Sequence, residues 1–165
     1  MLIAQDPLRS NKWYNECHDA VISSPFGLHD AIHRVKGNGG KMVYELVWRL
    51  TSAGYGVYLT DAAKYFIYDH KTTNEYTKTR IGLYADILKK EIDAVNPIQC
   101  VCFGHKAGQV LYDTGILTDY IVLPHLSGTA RGAIIRKFPE LTTKGATVEN
   151  IVELYANEIT RLVQE

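Results

Sequence analysis

Residues 97–107 have the sequence PIQCVCFGHKA, in which an apolar run is followed directly by glycine and histidine. The run at 98–103 does not alternate apolar with polar residues, which is typical of a strand covered on both faces, as in a parallel sheet. Three shorter runs share this character, and they are residues 2–4 (LIA), 57–59 (VYL) and 120–123 (YIVL). The sequence therefore predicts a buried, mostly parallel sheet of four strands.

Apolar residues recur with helical spacing in the segments between and after these runs. The segments are residues 28–35, 42–50, 84–92 and 148–163. Gly54 is predicted to follow the end of the second helix, Pro97 to stop the third and Thr147 to cap the last. Residues 8–25 and 67–82 show no clear pattern and are predicted to be loops. Strands that alternate with helices predict a layered α/β fold with right-handed crossovers.

A chain of 165 residues with 46% apolar and 22% charged residues has the composition of one globular domain, here residues 1–165. The 18 basic and 18 acidic side chains cancel. This balance excludes a protein that binds nucleic acid or anionic lipid by bulk positive charge alone. No apolar run approaches the roughly 20 residues that span a bilayer, so no membrane partner is expected.

The three cysteines, Cys17, Cys100 and Cys102, are an odd number without CxxC spacing. They fit a reducing, cytoplasmic location. They do not make a complete ligand set for zinc or an iron–sulfur cluster, so we expect no metal and no other cofactor.

Polar side chains follow the four predicted strands. They are Gln5 and Asp6, Thr60 and Asp61, Gly104 and His105, and His125. Ligands of open α/β sheets bind outside the carboxyl ends of the strands, near the point where the strand order reverses. A carboxylate and an imidazole on that rim are suited to acid–base work or to stabilising a charged leaving group.

Five segments around these residues resemble, in order, the motifs of the uracil-DNA glycosylase superfamily. They are LIAQDP at 2–7, SSPFG at 23–27, VYLTDAAK at 57–64, PIQCVCFGHKA at 97–107 and VLPHLSGTARG at 122–132. The resemblance implies a three-layer sandwich around the four-stranded sheet. It also implies an enzyme that cleaves the N-glycosidic bond of a base extruded from DNA.

The resemblance also implies roles for individual residues. Asp6 would orient water or support the positive charge that develops on the sugar, as carboxylates do in glycoside hydrolysis. His125 would donate a hydrogen bond to O2 of the departing base. Phe26 would stack on that base, Gln5 would line the pocket and Asp61 would read the Watson–Crick edge. The residues that would contact the nucleic-acid backbone are Lys64, Ser127, Gly128 and Arg131.

The chain departs from the family pattern at several of these positions. Asp61 stands where the family has Asn, and an ionised carboxylate only accepts hydrogen bonds, so it suits an amino-bearing edge such as that of cytosine. Leu8 replaces the Tyr that excludes the methyl group of thymine, and Leu126 replaces the Pro of a His-Pro-Ser motif. The loop at 128–130 (GTA) has no bulky apolar wedge.

These features predict a DNA glycosylase that acts, as a monomer, on uracil or a modified pyrimidine in single-stranded or damaged duplex DNA. One alternative is a non-catalytic nucleic-acid or nucleotide-binding module of the same fold, and another is an enzyme acting on a free nucleoside. A third is a zinc hydrolase, since His29 and His33 in HDAIH have the helical spacing of an HExxH site. Residues 37–41 (GNGGK) lack the Walker spacing and are predicted to be a turn that starts the second helix.

The zero net charge is unevenly distributed. Residues 149–165 carry four glutamates and one arginine, so the remainder of the chain is net positive. Residues 124–145 are mainly basic through Arg131, Arg136, Lys137 and Lys144. We expect a modestly basic rim beside His125 and weak, salt-sensitive binding of nucleic acid.

Overall fold

A computed structural model describes residues 1–5, 24–36, 38–64, 78–117 and 119–164. The strands are β1 (Leu2–Ala4), β2 (Leu59–Asp61), β3 (Val101–Phe103) and β4 (Ile121–Leu123). The helices are α1 (Ala31–Lys36), α2 (Asn38–Ser52), α3 (Lys78–Val95), α4 (His105–Thr114), α5 (Arg131–Lys137), α6 (Leu141–Lys144) and α7 (Val148–Gln164). Short 3₁₀ turns occupy Pro25–Gly27 and Gly128–Ala130.

The four strands form one parallel sheet in the order β2-β1-β3-β4. Ile3 is aligned with Thr60 on one side and with Cys102 on the other, and Cys102 is aligned with Val122. This confirms the predicted α/β fold and parallel sheet. The chain adds β2 on one side of β1 and β3 on the other, so the strand order reverses between β1 and β3.

Side chains of the two sheet faces enter separate hydrophobic cores. Leu2, Val101 and Phe103 pack with residues of α2 and α7 on one face. Ile3 and Cys102 pack with residues of α3 and α4 on the other face. The arrangement is a helix–sheet–helix sandwich, which is why the strands lack polar alternation.

Helix α2 buries an apolar stripe, and local hydrogen bonds define its C-terminal end. Its buried residues are Met42, Val43, Leu46 and Leu50. At the C-terminus the N–H of Tyr55 donates to the Leu50 carbonyl at 3.1 Å and that of Gly54 to Thr51 at 3.0 Å, the two bonds of a Schellman motif. Gly54 has φ +92°, which confirms its predicted place after the helix. The predicted turn at 37–41 is wrong for its last four residues, because the helix already begins at Asn38.

Helix α7 carries the residues Ile151, Val152, Tyr155 and Ile159 on its buried face. Thr147 caps it as predicted, since its Oγ1 accepts a hydrogen bond from the Asn150 N–H at 3.2 Å. None of the helices in the described part of the chain is long and apolar enough to cross a bilayer.

Several predicted boundaries are wrong by a few residues. The second strand is Leu59–Asp61 rather than 57–59, because Thr60 is only 7% exposed and its hydroxyl donates to Glu91 Oε2 at 3.0 Å. Because threonine is polar, a search for apolar runs ends before it, even where its side chain is buried and hydrogen-bonded. The third strand begins at Val101, three residues later than predicted, and α3 begins inside the predicted loop at 67–82.

Candidate functional site

The ends of β1 and β2 lie side by side at the carboxyl edge of the sheet. Ala4 and Asp61 are aligned in the register. The pairing continues beyond the strands, since Ala62 N–H donates to Ala4 at 2.8 Å and Ala63 N–H to the Gln5 carbonyl at 3.0 Å. Gln5 and Asp61 therefore occupy neighbouring positions at the carboxyl edge of the sheet.

Phe26 is held over the same edge of the sheet. Its ring centroid lies 5.3 Å from that of His125, with the planes tilted by 34°, and 6.4 Å from that of Phe103 in an edge-on arrangement. The residue has φ +57°, a left-handed conformation that costs a bulky side chain about 1–3 kcal/mol and occurs mainly where a site requires it. The turn is held by two hydrogen bonds to Ser24, from Gly27 N–H to the carbonyl at 3.0 Å and from His29 N–H to Oγ at 2.8 Å.

The backbone at residues 124–127, called the His125 segment below, is fixed on both sides. Gly104 N–H donates to the Leu123 carbonyl at 2.7 Å, and Ser127 N–H donates to the His125 carbonyl at 2.9 Å. The phenol of Tyr155 in α7 donates to the Pro124 carbonyl at 2.8 Å. Burial raises the pKa of this phenol, so it remains a protonated donor at neutral pH.

Two neighbours of this segment were not predicted from the sequence. Leu126 is completely buried in the α2–α7 core, so the leucine that follows His125 anchors the segment by packing. A Cβ on Gly39 in α2 would lie 3.1 Å from the Leu126 carbonyl oxygen and 3.7 Å from Phe26. Gly39 thus allows a close approach between α2 and the His125 segment. The sequence signal of this glycine is the GNGG stretch, which by its composition predicts a turn instead.

Residues 2–143 match the model of the Uracil DNA glycosylase superfamily. The chain belongs to this superfamily. Its members are generally glycosylases, and membership supports a DNA glycosylase-like function and a DNA substrate. Comparisons with curated proteins and with solved structures gave no match.

Three of the residues that the family resemblance assigns to the DNA backbone lie together. Ser127 Oγ is 3.0 Å from Thr129 Oγ1 at the start of the 3₁₀ turn, where Gly128 is exposed. Arg131 follows at the beginning of α5 and is also exposed. This turn continues directly from the His125 segment. Its polar groups therefore follow closely on the candidate base pocket, by which we mean the site at the Phe26 and His125 rings.

Lys64 lies elsewhere. Its side chain is 11% exposed, and its ammonium contacts Glu91 Oε2 at 2.5 Å and Thr60 Oγ1 at 2.7 Å. This places the charge between β2 and α3 rather than on an exposed surface. The geometry argues for a structural cation that fixes the end of β2, in contrast to the backbone contact that the resemblance implies.

The helical zinc motif is not formed at His29. Helix α1 begins at Ala31, and Asp30 caps it by accepting a hydrogen bond from Ile32 N–H at 2.7 Å. His29 lies in the preceding turn, with Nδ1 3.3 Å from Ser24 Oγ. The described part of the chain contains no group of three or more His, Cys, Asp or Glu side chains placed to hold a metal.

Asp6 lies outside the described residues, as do Leu8 and Cys17. Of the remaining predicted site residues, the structure brings Phe26 and His125 into direct ring contact and places Gln5 beside Asp61. Cys100 and Cys102 are buried free thiols. Burial raises the pKa of Cys102 to about 12, which excludes a thiolate nucleophile there at neutral pH.

Proposed function

We propose that this protein is a DNA glycosylase that hydrolyses the N-glycosidic bond of a flipped-out uracil or modified pyrimidine. The observation that carries the proposal is the contact between Phe26 and His125 at the carboxyl edge of a uracil-DNA glycosylase-type sheet. An aromatic face and an imidazole side by side suit a planar base that must be stacked and hydrogen-bonded at once.

The roles follow from the charges that develop as the bond breaks. The base leaves with negative charge on O2, and His125 is the residue we assign to donate a hydrogen bond to it. The sugar gains positive charge, and Asp6 is the residue we assign to support it and to orient the water that attacks C1′. Phe26 stacks on the base plane, and its ring is already held against Phe103 before substrate arrives.

The identity of residue 61 bears on which base is the target. Asp61 stands at the end of β2 beside Gln5, where the resemblance assigns the residue that reads the Watson–Crick edge. An ionised carboxylate accepts from an amino group, whereas the carbonyl O4 of uracil needs a donor. We therefore expect a modified cytosine to be a better substrate than uracil. Accordingly, Asp61→Asn should raise the rate on uracil and lower it on the amino-bearing base.

A second candidate is a non-catalytic module of the same fold that binds nucleic acid or nucleotides. Asp61 in place of Asn is the observation that favours it. Leu126, which stands where the family motif has Pro, gives it no support, because its side chain serves the hydrophobic core.

The natural substrate in this proposal is single-stranded or damaged duplex DNA, with the turn at Gly128–Ala130 and Arg131 as the backbone contact. We further propose a monomeric, cytoplasmic protein, in keeping with the two buried free thiols.

The test is an excision assay on single- and double-stranded oligonucleotides that contain uracil, xanthine, hypoxanthine or a modified cytosine. Abasic product that is lost or strongly reduced in Asp6→Asn and His125→Ala would support the proposal. No product from any substrate would refute catalysis and leave the binding module. Product at an unchanged rate in both variants would show that the site lies elsewhere. The rates of Asp61→Asn on uracil and on modified cytosine, measured in the same assay, test the base preference.

A further inference from the structure

Tyr155 is the largest of the fully buried side chains in the described chain, and it carries a polar group into the core. It belongs to α7, which lies beyond the residues that match the superfamily. Its hydroxyl finds a partner in the Pro124 carbonyl, 2.8 Å away. Pro124 is the residue directly before His125, so a partly buried hydrogen bond ties α7 to the backbone of the candidate site.

The ring of Tyr155 reaches the same site by a second route. Its centroid lies 6.3 Å from that of Phe103, and the Phe103 centroid lies 6.4 Å from that of Phe26. Phe26 in turn contacts His125. Close-packed rings transmit a displacement because the interior has no free volume to absorb it. Tyr155 therefore constrains both sides of the candidate base pocket, one through a hydrogen bond and the other through packing.

We propose that Tyr155 is a positioning residue that sets the placement of His125, and through Phe103 that of Phe26, for the reaction assigned to the site. This rests on the proposed glycosylase function. The hydroxyl holds the Pro124 carbonyl, and thus the start of the His125 segment, in one orientation. In its absence the partly buried carbonyl loses its donor, and the segment shifts toward another one. Helix α7 then contributes to the candidate site as well as to the hydrophobic core.

The test is Tyr155→Phe, which removes the hydroxyl and keeps the ring packing. Since misplacement of a reacting group by about 1 Å can cost roughly 100-fold in rate, a partial shift of His125 should lower kcat on the order of tenfold. The KM should stay within about twofold, because Phe26 still stacks the base. Ile159→Ala is the matched control. Ile159 is a buried residue of the same helix, and it lines a cleft with Met1, Leu50 and Tyr55 at the start of β1, the opposite end of that strand from the candidate site. Ile159→Ala should lower Tm at least as much as Tyr155→Phe while kcat is unchanged.

A double variant separates positioning from general stability. If Tyr155 acts through His125, Tyr155→Phe should have little further effect on kcat in a His125→Ala background. Full additivity of the two losses would overturn the proposal, as would equal kcat losses in Tyr155→Phe and Ile159→Ala.

A readout without catalysis distinguishes failure of this inference from failure of the proposed function. The ring proton resonances of His125 in heteronuclear NMR spectra should move in Tyr155→Phe and remain in place in Ile159→Ala. If the wild-type chain excised no base at all, the function would be refuted, and this NMR comparison would still decide the inference. Unchanged His125 resonances in Tyr155→Phe would overturn it.

Discussion

Substituting Gly39 with alanine sets a gain in helix stability against a change in the candidate site. Gly39 is the second residue of α2, where alanine is favoured over glycine by at most about 1 kcal/mol. The added Cβ would lie 3.1 Å from the Leu126 carbonyl oxygen, whereas ordinary contacts begin at 3.4 Å. The oxygen must therefore retreat by about 0.3 Å to restore van der Waals distance. The contact with Phe26, at 3.7 Å, needs no adjustment.

The retreat of this oxygen acts on the residue that precedes it. The Leu126 carbonyl belongs to the residue immediately after His125, and the Leu126 side chain cannot follow because it is completely buried. The peptide plane that joins Leu126 to Ser127 must rotate, and this plane also carries the Ser127 N–H, which donates to the His125 carbonyl at 2.9 Å. The rotation therefore disturbs the hydrogen bond that fixes His125 and shifts its ring relative to the base. Since misplacement by about 1 Å costs roughly 100-fold, a shift of about 0.3 Å should lower the excision rate roughly three- to tenfold. The free energy of unfolding should stay within about 1 kcal/mol of wild type, because the two effects on stability oppose each other.

Single-turnover excision kinetics and thermal unfolding, measured together, test this expectation. Gly132→Ala is the control, because it also replaces a helical glycine, while its Cβ would meet, within the described part of the chain, only the flexible Arg136 side chain, at 3.7 Å. It should leave the rate unchanged. A wild-type rate in Gly39→Ala would refute the reasoning, since it would mean that the His125 segment yields freely or that its position does not matter. An equal loss in both variants would place the cause in α-helical stability instead.

Two further predictions concern the ion pairs. Lys64→Met should lower the free energy of unfolding by about 1–3 kcal/mol, because it leaves Glu91 in a partly buried place without its cation. It should leave the salt dependence of DNA binding unchanged; a slope smaller by about 1 would instead make Lys64 a phosphate contact. Hydrogen bonds from Lys137 and Arg161 hold the pKa of the Glu158 carboxyl below its usual value. A depressed folded pKa contributes stability above the unfolded pKa of about 4.3 that is lost as pH falls through the folded pKa. The difference in free energy of unfolding between wild type and Glu158→Gln should thus be present at pH 6, amount to no more than about 1 kcal/mol because both cationic partners are solvent-accessible, and vanish near pH 3. A difference that persisted there would point to packing.

The sheet could be predicted because burial on both faces removes polar residues from its strands. The strands Val101–Phe103 and Leu2–Ala4 are clear examples. Apolar periodicity does not predict helix α4, because its buried side includes Gly108, which has no side chain to contribute to an apolar stripe. A Cβ there would lie 2.9 Å from Val122 and 3.0 Å from Tyr120, so the helix needs glycine to approach β4. Tertiary packing overrides helix propensity at that position.

The candidate site was predictable only in its residue types. Phe26 and His125 were identified because they occur in motifs of a known family, and their contact depends on a strand order that periodicity does not encode. Lys64 occupies a motif position, yet its ion pair with Glu91 depends on where α3 packs. Tyr155 falls on an apolar helix stripe like any core residue. Its hydrogen bond to Pro124 therefore had no signal in the sequence.

The basic rim beside His125 is weaker in the folded protein than its sequence indicates. Lys137 Nζ lies 2.8 Å from Glu158 of the acidic helix α7, so its charge is already balanced. Arg131 and Arg136 are exposed nearby, and each phosphate contact adds only about 0.9 to the salt slope of binding. Stacking of one base on Phe26 contributes about 1–3 kcal/mol, which is comparable to what these few contacts supply. With no bulky wedge in Gly128–Ala130, little energy remains to open a paired duplex. We therefore expect the preferred substrate to present its target base already unpaired, in single-stranded DNA or at a mismatch.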